Sequence, residues 1–440
     1  MSRRPHILIV GGGYVGLYTA LQLQRRLSRA EADITVVDPQ PHMTYQPFLP
    51  EAAAGSVEPR HVVVPLRRTL KHCRVVSGRV TSIDHDRRNA TVEPLEGPAE
   101  TLDYDVLVLA AGSIARTLPI PGLAEVGIGF KTVGEAIYLR NQVLSRLDIA
   151  ASLVGSDEAA RAQRRRMLTF TFIGGGYAGI EALAELEDLA RYAMRRYYPG
   201  LDPADMRWVL VEATGRILPE VGLSMGAYTV RELAARGMDV RLNTRVTSLT
   251  GGHVVLSDGE QYDCDTIVWT AGVKASPLVE KTGLPVDDKG RLRCTAELQV
   301  EGVPDAWGAG DCAAVPDLSS SEPGALCGPS AQHAVRQARR LGDNIAQVLR
   351  GGRPTAYKHR YVGSVASLGL YKGVAQVYGI KVKGFPAWFM HRTYHMSRIP
   401  TLNRKVRVVA DWTLAFLFRR DVISLGQLQH PREAFERATR

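Results

Sequence analysis

The sequence predicts an α/β fold with two related domains and a C-terminal helical segment. Two short apolar runs each lead into a GxGxxG pattern, at residues 7–16 and 170–179, and a helix-forming stretch follows each one. A third feature is a cationic and aromatic segment near the C-terminus. A GxGxxG turn between a strand and a helix binds the pyrophosphate of a dinucleotide. We therefore expect two Rossmann-like dinucleotide-binding domains in this chain of 440 residues.

The glycines of each pattern have separate predicted roles. The first permits a tight turn, the second lets the backbone approach the pyrophosphate, and the third lets the new helix pack against its strand. These residues are Gly11, Gly13 and Gly16 in the first domain, with Gly12 between them, and Gly174, Gly176 and Gly179 in the second. Both helix N-termini would offer free N–H groups and a partial positive charge to the phosphates.

An acidic residue follows each glycine pattern at the end of the next β-rich run. Asp38 ends ITVVD and Glu212 ends WVLVE. A carboxylate at this place accepts hydrogen bonds from ribose hydroxyls and repels a 2′-phosphate. Asp38 is therefore the predicted ribose ligand of the first site, and Glu212 predicts NADH rather than NADPH at the second. Arg216, close by in the sequence, carries the opposite charge and argues against this preference.

Three further stretches complete the predicted organisation. YDVLVLAAGS ends near Ala111 and Gly112, where a cofactor can approach the backbone, and YDCDTIVWTAG echoes it in the second domain. Asp311 follows a short strand in WGAGDCA, ahead of a helical stretch whose N-terminus would contribute to the first nucleotide site. The predicted parts are 1–117 with 274–350 as the first domain, 118–273 as the second, and 351–440 as a C-terminal part with a hairpin at 361–379.

The chain is basic, with a net charge of +10, and much of this charge lies near the C-terminus. Residues 381–420 hold nine Lys or Arg and one acid, Asp411, interleaved with aromatic residues such as Trp388, Trp412 and Phe416. Such a segment suits helices that lie in an anionic lipid interface. Alternatively, these aromatics pack on the protein body or in a homodimer interface. Nucleic acid is not an expected partner, because no docking module accompanies the charge.

Composition restricts the location and the chemistry. No apolar run reaches the roughly 18 residues of a membrane span, and the N-terminus leads directly into a strand. We therefore expect an intracellular, peripheral protein on the cytoplasmic face of the cell membrane. The five cysteines show neither a CxxC motif nor the spacing of a redox or metal site. They are expected to be buried or incidental thiols, and no metal site is expected.

The order of these motifs resembles the two-dinucleotide-binding flavoprotein fold. Within that fold the chain is most similar to the type II NADH dehydrogenases, single-subunit NADH:quinone oxidoreductases that do not pump protons. Three segments carry this resemblance: GIEALAEL after the second glycine loop, AQHAVRQ at residues 331–337, and the C-terminal stretch from AWFMHRTYHM to LFRRD. The resemblance covers residues 5 to about 422.

The resemblance implies two cofactors and a quinone. FAD would lie beside Gly11, Gly12, Gly13, Gly16, Asp38, Ala111, Gly112 and Asp311, and NADH beside Gly174, Gly176, Gly179 and Glu212. It further implies that Gln332 and Gln337 lie on the quinone side of the flavin and that the C-terminal helices dock on the membrane. Two departures are Pro50 and Glu51 within TYQPFLPEAAAG, and Arg336 inside the quinone motif.

Glu181 is the predicted proton donor to the quinone. We expect it in the first turn of the helix that opens the NADH site, where a partly buried carboxyl can titrate near neutrality. The alternative is an acid favoured near a helix N-terminus by the helix dipole. His333 is expected to be only a helix residue beside the cofactor.

The leading functional hypothesis is a membrane-associated NADH:quinone oxidoreductase, in which NADH reduces FAD and the flavin reduces quinone without proton pumping. One alternative is a soluble NADH-dependent flavoprotein reductase with another acceptor. Another is a non-enzymatic, redox-sensing flavoprotein, which turnover with a quinone analogue would distinguish. A sulfide:quinone reductase is disfavoured, because its chemistry requires cysteines near the flavin.

Overall fold

A computed structural model of the protein describes residues 3–359, 363–426 and 432–439. The described chain divides into two compact units. Unit 1 contains residues 3–44, 64–116 and 273–359, and unit 2 contains residues 45–63, 117–272, 363–426 and 432–439. The predicted first domain included residues 45–63. They belong to unit 2 because their buried apolar residues, including Phe48 and Leu49, pack against helices of that unit.

The described residues form α-helices, short 3-10 helices and β-strands. The α-helices are α1 (Tyr14–Arg26), α2 (Leu49–Ala53), α3 (Leu66–Thr69), α4 (Leu123–Val126), α5 (Val133–Ser152), α6 (Glu158–Met167), α7 (Tyr177–Tyr197), α8 (Leu223–Ala235), α9 (Ala331–Leu349), α10 (Phe385–Arg398), α11 (Leu402–Phe418) and α12 (Glu433–Ala438). The 3-10 helices are Gln46–Phe48, Pro59–Val62, Pro203–Asp205, Thr250–Gly252, Val279–Thr282 and Gly310–Cys312. The strands are β1 (His6–Val10), β2 (Asp33–Asp38), β3 (His42–Thr44), β4 (Val63–Pro65), β5 (Arg74–Asp84), β6 (Asn89–Pro94), β7 (Glu100–Asp103), β8 (Val106–Leu109), β9 (Ser113–Ala115), β10 (Gly127–Gly129), β11 (Thr169–Ile173), β12 (Arg207–Val211), β13 (Asp239–Arg241), β14 (Val246–Ser248), β15 (His253–Leu256), β16 (Gln261–Asp263), β17 (Thr266–Trp269), β18 (Val273–Ala275), β19 (Leu292–Arg293), β20 (Ala306–Gly308), β21 (Ala313–Ala314), β22 (Gly363–Ser367), β23 (Gly373–Val377) and β24 (Ile380–Lys383).

Unit 1 is built on a seven-stranded sheet with the order β20-β8-β1-β2-β5-β6-β7. The strands from β20 to β5 are parallel, and β6 and β7 continue the sheet in antiparallel pairing. β1 and β8 are apolar and almost wholly buried, as expected for parallel strands covered on both faces. Because the carboxyl ends of parallel strands share one edge, the loops after β20, β8, β1 and β2 meet there.

Unit 2 contains a second parallel sheet, of five strands, with the order β10-β17-β11-β12-β13. Its β11-α7-β12 unit repeats the β1-α1-β2 unit of the first sheet. Trp208 stacks on Phe170 with 4.3 Å between ring centroids and fixes β12 beside β11. The repeated strand–helix–strand units confirm the predicted α/β fold class with two Rossmann-like parts.

The C-terminal part of unit 2 begins with the predicted hairpin. β22 and β23 pair in antiparallel register, and β24 adds a third strand that the sequence analysis did not predict. Tyr361 and Val362 of the predicted hairpin lie outside the described residues. Helices α10 and α11 follow. In the described part of the chain, no helix is both long and apolar enough to cross a membrane.

Candidate functional site

The first glycine loop has the backbone conformation that its sequence predicts. Gly11 has φ +106°, and a Cβ there would lie 2.3 Å from the Ala110 carbonyl oxygen. A Cβ on Gly16 would lie 1.7 Å from the Gly11 carbonyl oxygen, so α1 can cross β1 only without a side chain at this position. Gly13 is the N-cap of α1, and an added Cβ would meet nothing within 4 Å. The helix N-terminus therefore opens onto free space, where a phosphate fits.

The second glycine loop repeats this geometry in unit 2. Gly174 has φ +114°, and a Cβ on Gly179 would lie 2.2 Å from the Gly174 carbonyl oxygen. Gly176 caps α7 and, like its counterpart in unit 1, would place a Cβ in open space. The helix after the glycine loop therefore has an open N-terminus in both units.

The two acids at the strand ends bind their own glycine loops. The Gly12 N–H donates to Asp38 Oδ2 at 2.6 Å, and the Gly175 N–H donates to Glu212 Oε2 at 2.7 Å. A Cβ on Gly12 would lie 2.5 Å from Leu66 Cδ1 and 3.2 Å from the Asp38 Cβ, so a side chain at this position would displace Leu66 and crowd the acid. Burial raises the pKa of Asp38, although the hydrogen bond from Gly12 opposes this shift.

Arg216 is engaged by the backbone beside Glu212. Its guanidinium donates to the carbonyl oxygen of Pro219 and, at 3.5 Å, to that of Val221. The second carboxylate oxygen of Glu212 accepts from the Thr214 N–H and hydroxyl, both at 2.8 Å. Arg216 therefore holds the backbone of the loop after β12 in place.

The remaining predicted residues of the first site gather at the carboxyl edge of the unit 1 sheet. Ala111 and Gly112 follow β8, and Asp311 follows β20. The Ser113 hydroxyl donates to Asp311 Oδ2 at 2.6 Å and ties the two loops together. The Gly310 N–H donates to Gln337 Oε1 at 2.8 Å, which anchors the same loop to α9.

The two glutamines of the AQHAVRQ motif have different surroundings on α9. Gln337 is buried and holds the Gly310 loop. Arg336 donates to both the carbonyl oxygen and Oε1 of Gln332 at 3.2 Å, so its guanidinium group is hydrogen-bonded within the motif. His333 Nδ1 lies 2.9 Å from the Tyr357 hydroxyl and packs as a helix residue.

Glu181 lies in the second turn of α7, so the prediction of a first-turn position is wrong. The helix begins at Tyr177 and has no acid in its first turn. Glu181 is only 5% exposed, and its Oε1 accepts from the Ser367 N–H at 2.9 Å. His391 Nε2 lies 3.0 Å from the same oxygen. Although burial opposes the charged imidazole, Glu181 outweighs it and raises the pKa of His391.

Sequence reasoning missed the buried charges around Glu181. Glu51 Oε2 accepts from Trp412 Nε1 at 2.7 Å and pairs with Arg392 at 3.0 Å. Arg420 pairs with Glu185 Oε2 at 2.6 Å. One signal was available in the sequence: Glu181 and Glu185 are four residues apart on one helix and therefore share a face.

These contacts correct part of the lipid-facing assignment. Trp388 is 7% exposed, and Trp412 donates its indole N–H to a buried carboxylate, so neither is available for insertion into lipid. Arg392 and Arg420 are buried in ion pairs within the protein. Packing on the body, the predicted alternative, therefore accounts for these four residues, while Phe416 is 72% exposed.

All five cysteines are free thiols, and four of them are buried. Burial raises the pKa of Cys73 to about 12 and that of Cys264, Cys312 and Cys327 to about 11, and holds that of Cys294 well above its usual value. Among the described residues, no group of three or more His, Cys, Asp or Glu side chains is placed to hold a metal ion.

Comparison with known proteins extends this picture. The pyridine nucleotide-disulphide oxidoreductase family matches residues 5–338. A type II NADH:quinone oxidoreductase of Staphylococcus epidermidis is 31% identical over 405 residues, which cover 91% of this chain and 96% of that protein. Demethylphylloquinone reductase NdbB of Synechocystis sp. is 31% identical over 419 residues, covering 93% and 96% of the two chains.

A solved structure shares the fold. The structure of NDH2 from Plasmodium falciparum in complex with NADH has a TM-score of 0.87 at 17% identity, covering 96% of this chain and 100% of that chain.

The fold, the two glycine loops and the family match define a pyridine nucleotide-disulphide oxidoreductase. Within this class, 31% identity along nearly the whole chain shows that the protein belongs to the type II NADH:quinone oxidoreductases. Membership confirms the resemblance that the motifs carried and the prediction of an oxidoreductase.

Proposed function

We propose that the protein is an FAD-dependent NADH:quinone oxidoreductase in which unit 1 binds FAD and unit 2 binds NADH. The observation that carries this proposal is the pair of matched sites, each with an open helix N-terminus and a carboxylate bound to its glycine loop. When bound, NADH supplies a hydride to FAD, which then supplies two electrons to a quinone that also takes up two protons. The relatives named above support quinone as the acceptor.

The residues of unit 1 fit FAD. Open space at Gly13 accommodates a phosphate at the N-terminus of α1, and Asp38 retains carboxylate lone pairs for ribose hydroxyls. Asp311, Ala111 and Gly112 lie at the same sheet edge, where a nucleotide binds in a parallel α/β sheet. Gln337 positions the Gly310 loop, and it stays, with Gln332, a predicted quinone-side residue.

The residues of unit 2 fit NADH in the same way. Gly176 leaves the N-terminus of α7 open, and Glu212 presents a carboxylate beside it. A negative charge at this place repels a 2′-phosphate, so it favours NADH over NADPH. Arg216 already donates N–H groups of its guanidinium to backbone carbonyl oxygens of its own loop.

Glu181 is the proposed proton donor to the quinone. It is buried, hydrogen-bonded to the Ser367 N–H, and paired with a titratable partner in His391. A proton can pass from His391 Nε2 to Glu181 Oε1 across 3.0 Å. This geometry gives Glu181 a means of recovering a proton after donating one.

We further propose that α10 and α11 bind the surface of an anionic membrane. Large apolar side chains point outward along α11 and at the start of α10, including Phe385, Phe389, Leu402, Val406, Val409, Phe416, Leu417 and Phe418. Basic residues on the same two helices, among them Lys405 and Arg407, suit a negatively charged surface. The proposed location is the cytoplasmic face of the cell membrane, and a homodimer interface is the other occupant that the test must distinguish.

Anaerobic stopped-flow tests donor and acceptor separately. Purified, FAD-loaded protein is mixed with NADH and then with menaquinone or ubiquinone analogues. Rapid flavin reduction followed by quinone-dependent reoxidation is expected. Flavin reduction without reoxidation by either quinone would favour a reductase with another acceptor, and absence of turnover with any acceptor would favour a redox sensor.

A further inference from the structure

Three carboxyl groups and two guanidinium groups meet in the interior of unit 2. This buried charge cluster consists of Glu51, Glu181, Glu185, Arg392 and Arg420, together with His391. None of the six is more than 9% exposed. Four parts of the chain supply these residues: Glu51 lies on α2, Glu181 and Glu185 on α7, His391 and Arg392 on α10, and Arg420 just after the end of α11.

The charges of this cluster do not balance without a proton. Arginine stays protonated in proteins, so two positive charges face three carboxyl groups. The neighbouring acids Glu187 and Asp188 do not alter this count, because Arg191 and Arg236 pair with them. An uncompensated buried charge is strongly unfavourable. One exchangeable proton therefore makes the cluster neutral.

His391 is the basic group best placed to carry this proton. The charged and titratable groups around it are Glu181 on α7, Glu51 on α2, and Arg392 and His395 on its own helix. The two carboxylates raise the pKa of His391 against the effect of burial. Burial and the neighbouring His391 hold the pKa of His395 well below its usual value, so His395 stays neutral.

Among the carboxyl and imidazole atoms of the cluster, three buried ones make no hydrogen bond of good geometry with the described residues: Glu51 Oε1 and both ring nitrogens of His391. Nε2 lies 3.0 Å from Glu181 Oε1, whereas Glu51 Oε1 and His391 Nδ1 are left for a bridging water. Burial raises the pKa of Glu51, while Arg392 opposes this rise.

We propose that the buried charge cluster stores one exchangeable proton and that Glu51 is the positioning residue whose negative charge keeps that proton on His391. Its use depends on the proposed function: the His391 Nε2–H bond breaks and a Glu181 Oε1–H bond forms, and Glu181 then passes this same proton to the quinone that has taken up the flavin's two electrons. The cluster then carries one net negative charge. It regains neutrality by taking up one proton from solvent.

The first test replaces Glu51 with glutamine, which keeps the shape and removes the charge. In the wild type the raised pKa of His391 contributes stability that is complete below about pH 6.5 and is lost as the pH rises through the folded-state pKa. In Glu51→Gln this loss should still begin near pH 6.5, but the transition, meaning the pH at which the loss is complete, should be lower by about 1 to 3 units. The measurement is the melting temperature of FAD-loaded protein between pH 6 and 10, which needs no quinone.

Three further variants separate charge from packing. Arg392→Met removes a positive charge and should move the transition to higher pH, opposite to Glu51→Gln. Glu51→Asp keeps the negative charge, so its transition should stay at the wild-type pH. Trp412→Phe removes the hydrogen bond to Glu51 but no charge, so its transition should stay within about 0.5 pH unit of the wild type.

The outcomes distinguish this inference from the proposed function. If Glu51→Gln and Arg392→Met move the transition in the same direction, or neither moves it, the stored proton is excluded. If the melting curves behave as expected but wild-type protein reduces no quinone, the proton count stands and the proposed function fails. If both hold, the pH profile of quinone reduction should shift in Glu51→Gln in the same direction as the melting curve.

Discussion

Glu212 holds the second glycine loop through one carboxylate oxygen and the turn at Thr214 through the other. Replacing it with alanine would therefore disturb the loop as well as the charge. Glu212→Gln keeps an acceptor for the Gly175 N–H and removes the negative charge, at the cost of the acceptor oxygen for Thr214. We expect wild-type protein to prefer NADH, and the variant to narrow the NADH/NADPH ratio of kcat/KM by about tenfold, which corresponds to ~1.4 kcal/mol.

Asp38→Asn is the matched control for this experiment, because Asp38 binds Gly12 as Glu212 binds Gly175. It should weaken retention of FAD and leave the NADH/NADPH ratio unchanged. Equal use of NADH and NADPH by the wild type would show that the assignment of Glu212 is wrong.

Glu181→Gln should separate the two half-reactions. The amide can still accept from the Ser367 N–H but cannot exchange a proton with His391. Reoxidation of the reduced flavin by a quinone analogue should slow by about 100-fold, whereas flavin reduction by NADH should change much less. Stopped-flow at several pH values measures both steps, and an equal loss in the two steps would argue for a structural role.

The sequence predicted the glycine loops and their acids because those features are local. Strand, turn, helix and the carboxylate on the next strand lie within a few tens of residues. The partner of Glu181 was not predictable in this way, because His391 is far away in the chain and reaches it only through packing of α10 on the rest of unit 2. Its helical turn was misjudged because α7 begins at Tyr177, directly after the loop.

At the scale of elements, α11 divides a continuous basic and aromatic sequence between two faces. Asp411 and Trp412 lie three and four residues after Val408 and face the protein with it. Asp411 accepts a 2.6 Å hydrogen bond from His61 there. Val409, Phe416 and the other exposed residues face outward. Composition alone could not assign these faces. Which side of α11 faces the protein depends on contacts such as that of Trp412 with buried Glu51 on α2, far away in the sequence.

The outward face of α11 predicts how membrane binding should respond to mutation. Phe416→Ser with Leu417→Ser removes two exposed apolar side chains, each contributing roughly 1.5–3 kcal/mol when fully buried in lipid. Flotation with anionic liposomes should fall by at least about tenfold, and the remaining binding should be more sensitive to salt. Leu223→Ser, which changes a 72% exposed residue on α8, is the control and should float as the wild type does.

Point variants are preferable to truncation near residue 380 for this test. Removing α10 and α11 would also remove Arg392 and Arg420 and leave Glu51 and Glu185 as unpaired buried carboxylates. Loss of one partner from a buried pair costs about 3–5 kcal/mol. If the double serine variant floats normally while forming fewer dimers, the outward face of α11 is a homodimer interface instead.

At the scale of the whole molecule, the repeated β-α-β units were predictable from the sequence. The set of chain segments that make up unit 2 was not. The glycine patterns mark where each parallel sheet starts a helix, so two copies of the motif predict two sheets. Nothing local indicates that residues 45–63 join unit 2. Their place is set by long-range contacts, such as that of Tyr45, whose hydroxyl donates to the His395 carbonyl oxygen at 3.0 Å.

The cysteines separate this protein from members of the wider class that work through a thiol. Burial raises the pKa of all five thiols, to about 12 for Cys73 and about 11 for Cys264, Cys312 and Cys327. Nearly all of each thiol is therefore protonated at pH 7.5. Pretreatment with iodoacetamide at that pH should leave NADH:quinone turnover within about twofold of the untreated enzyme. Above about pH 10 the thiolate fraction rises, so alkylation should begin there. Rapid inactivation at pH 7.5 that NADH accelerates would mean that a thiol takes part in turnover, and the flavin-to-quinone route proposed here would then need a cysteine step.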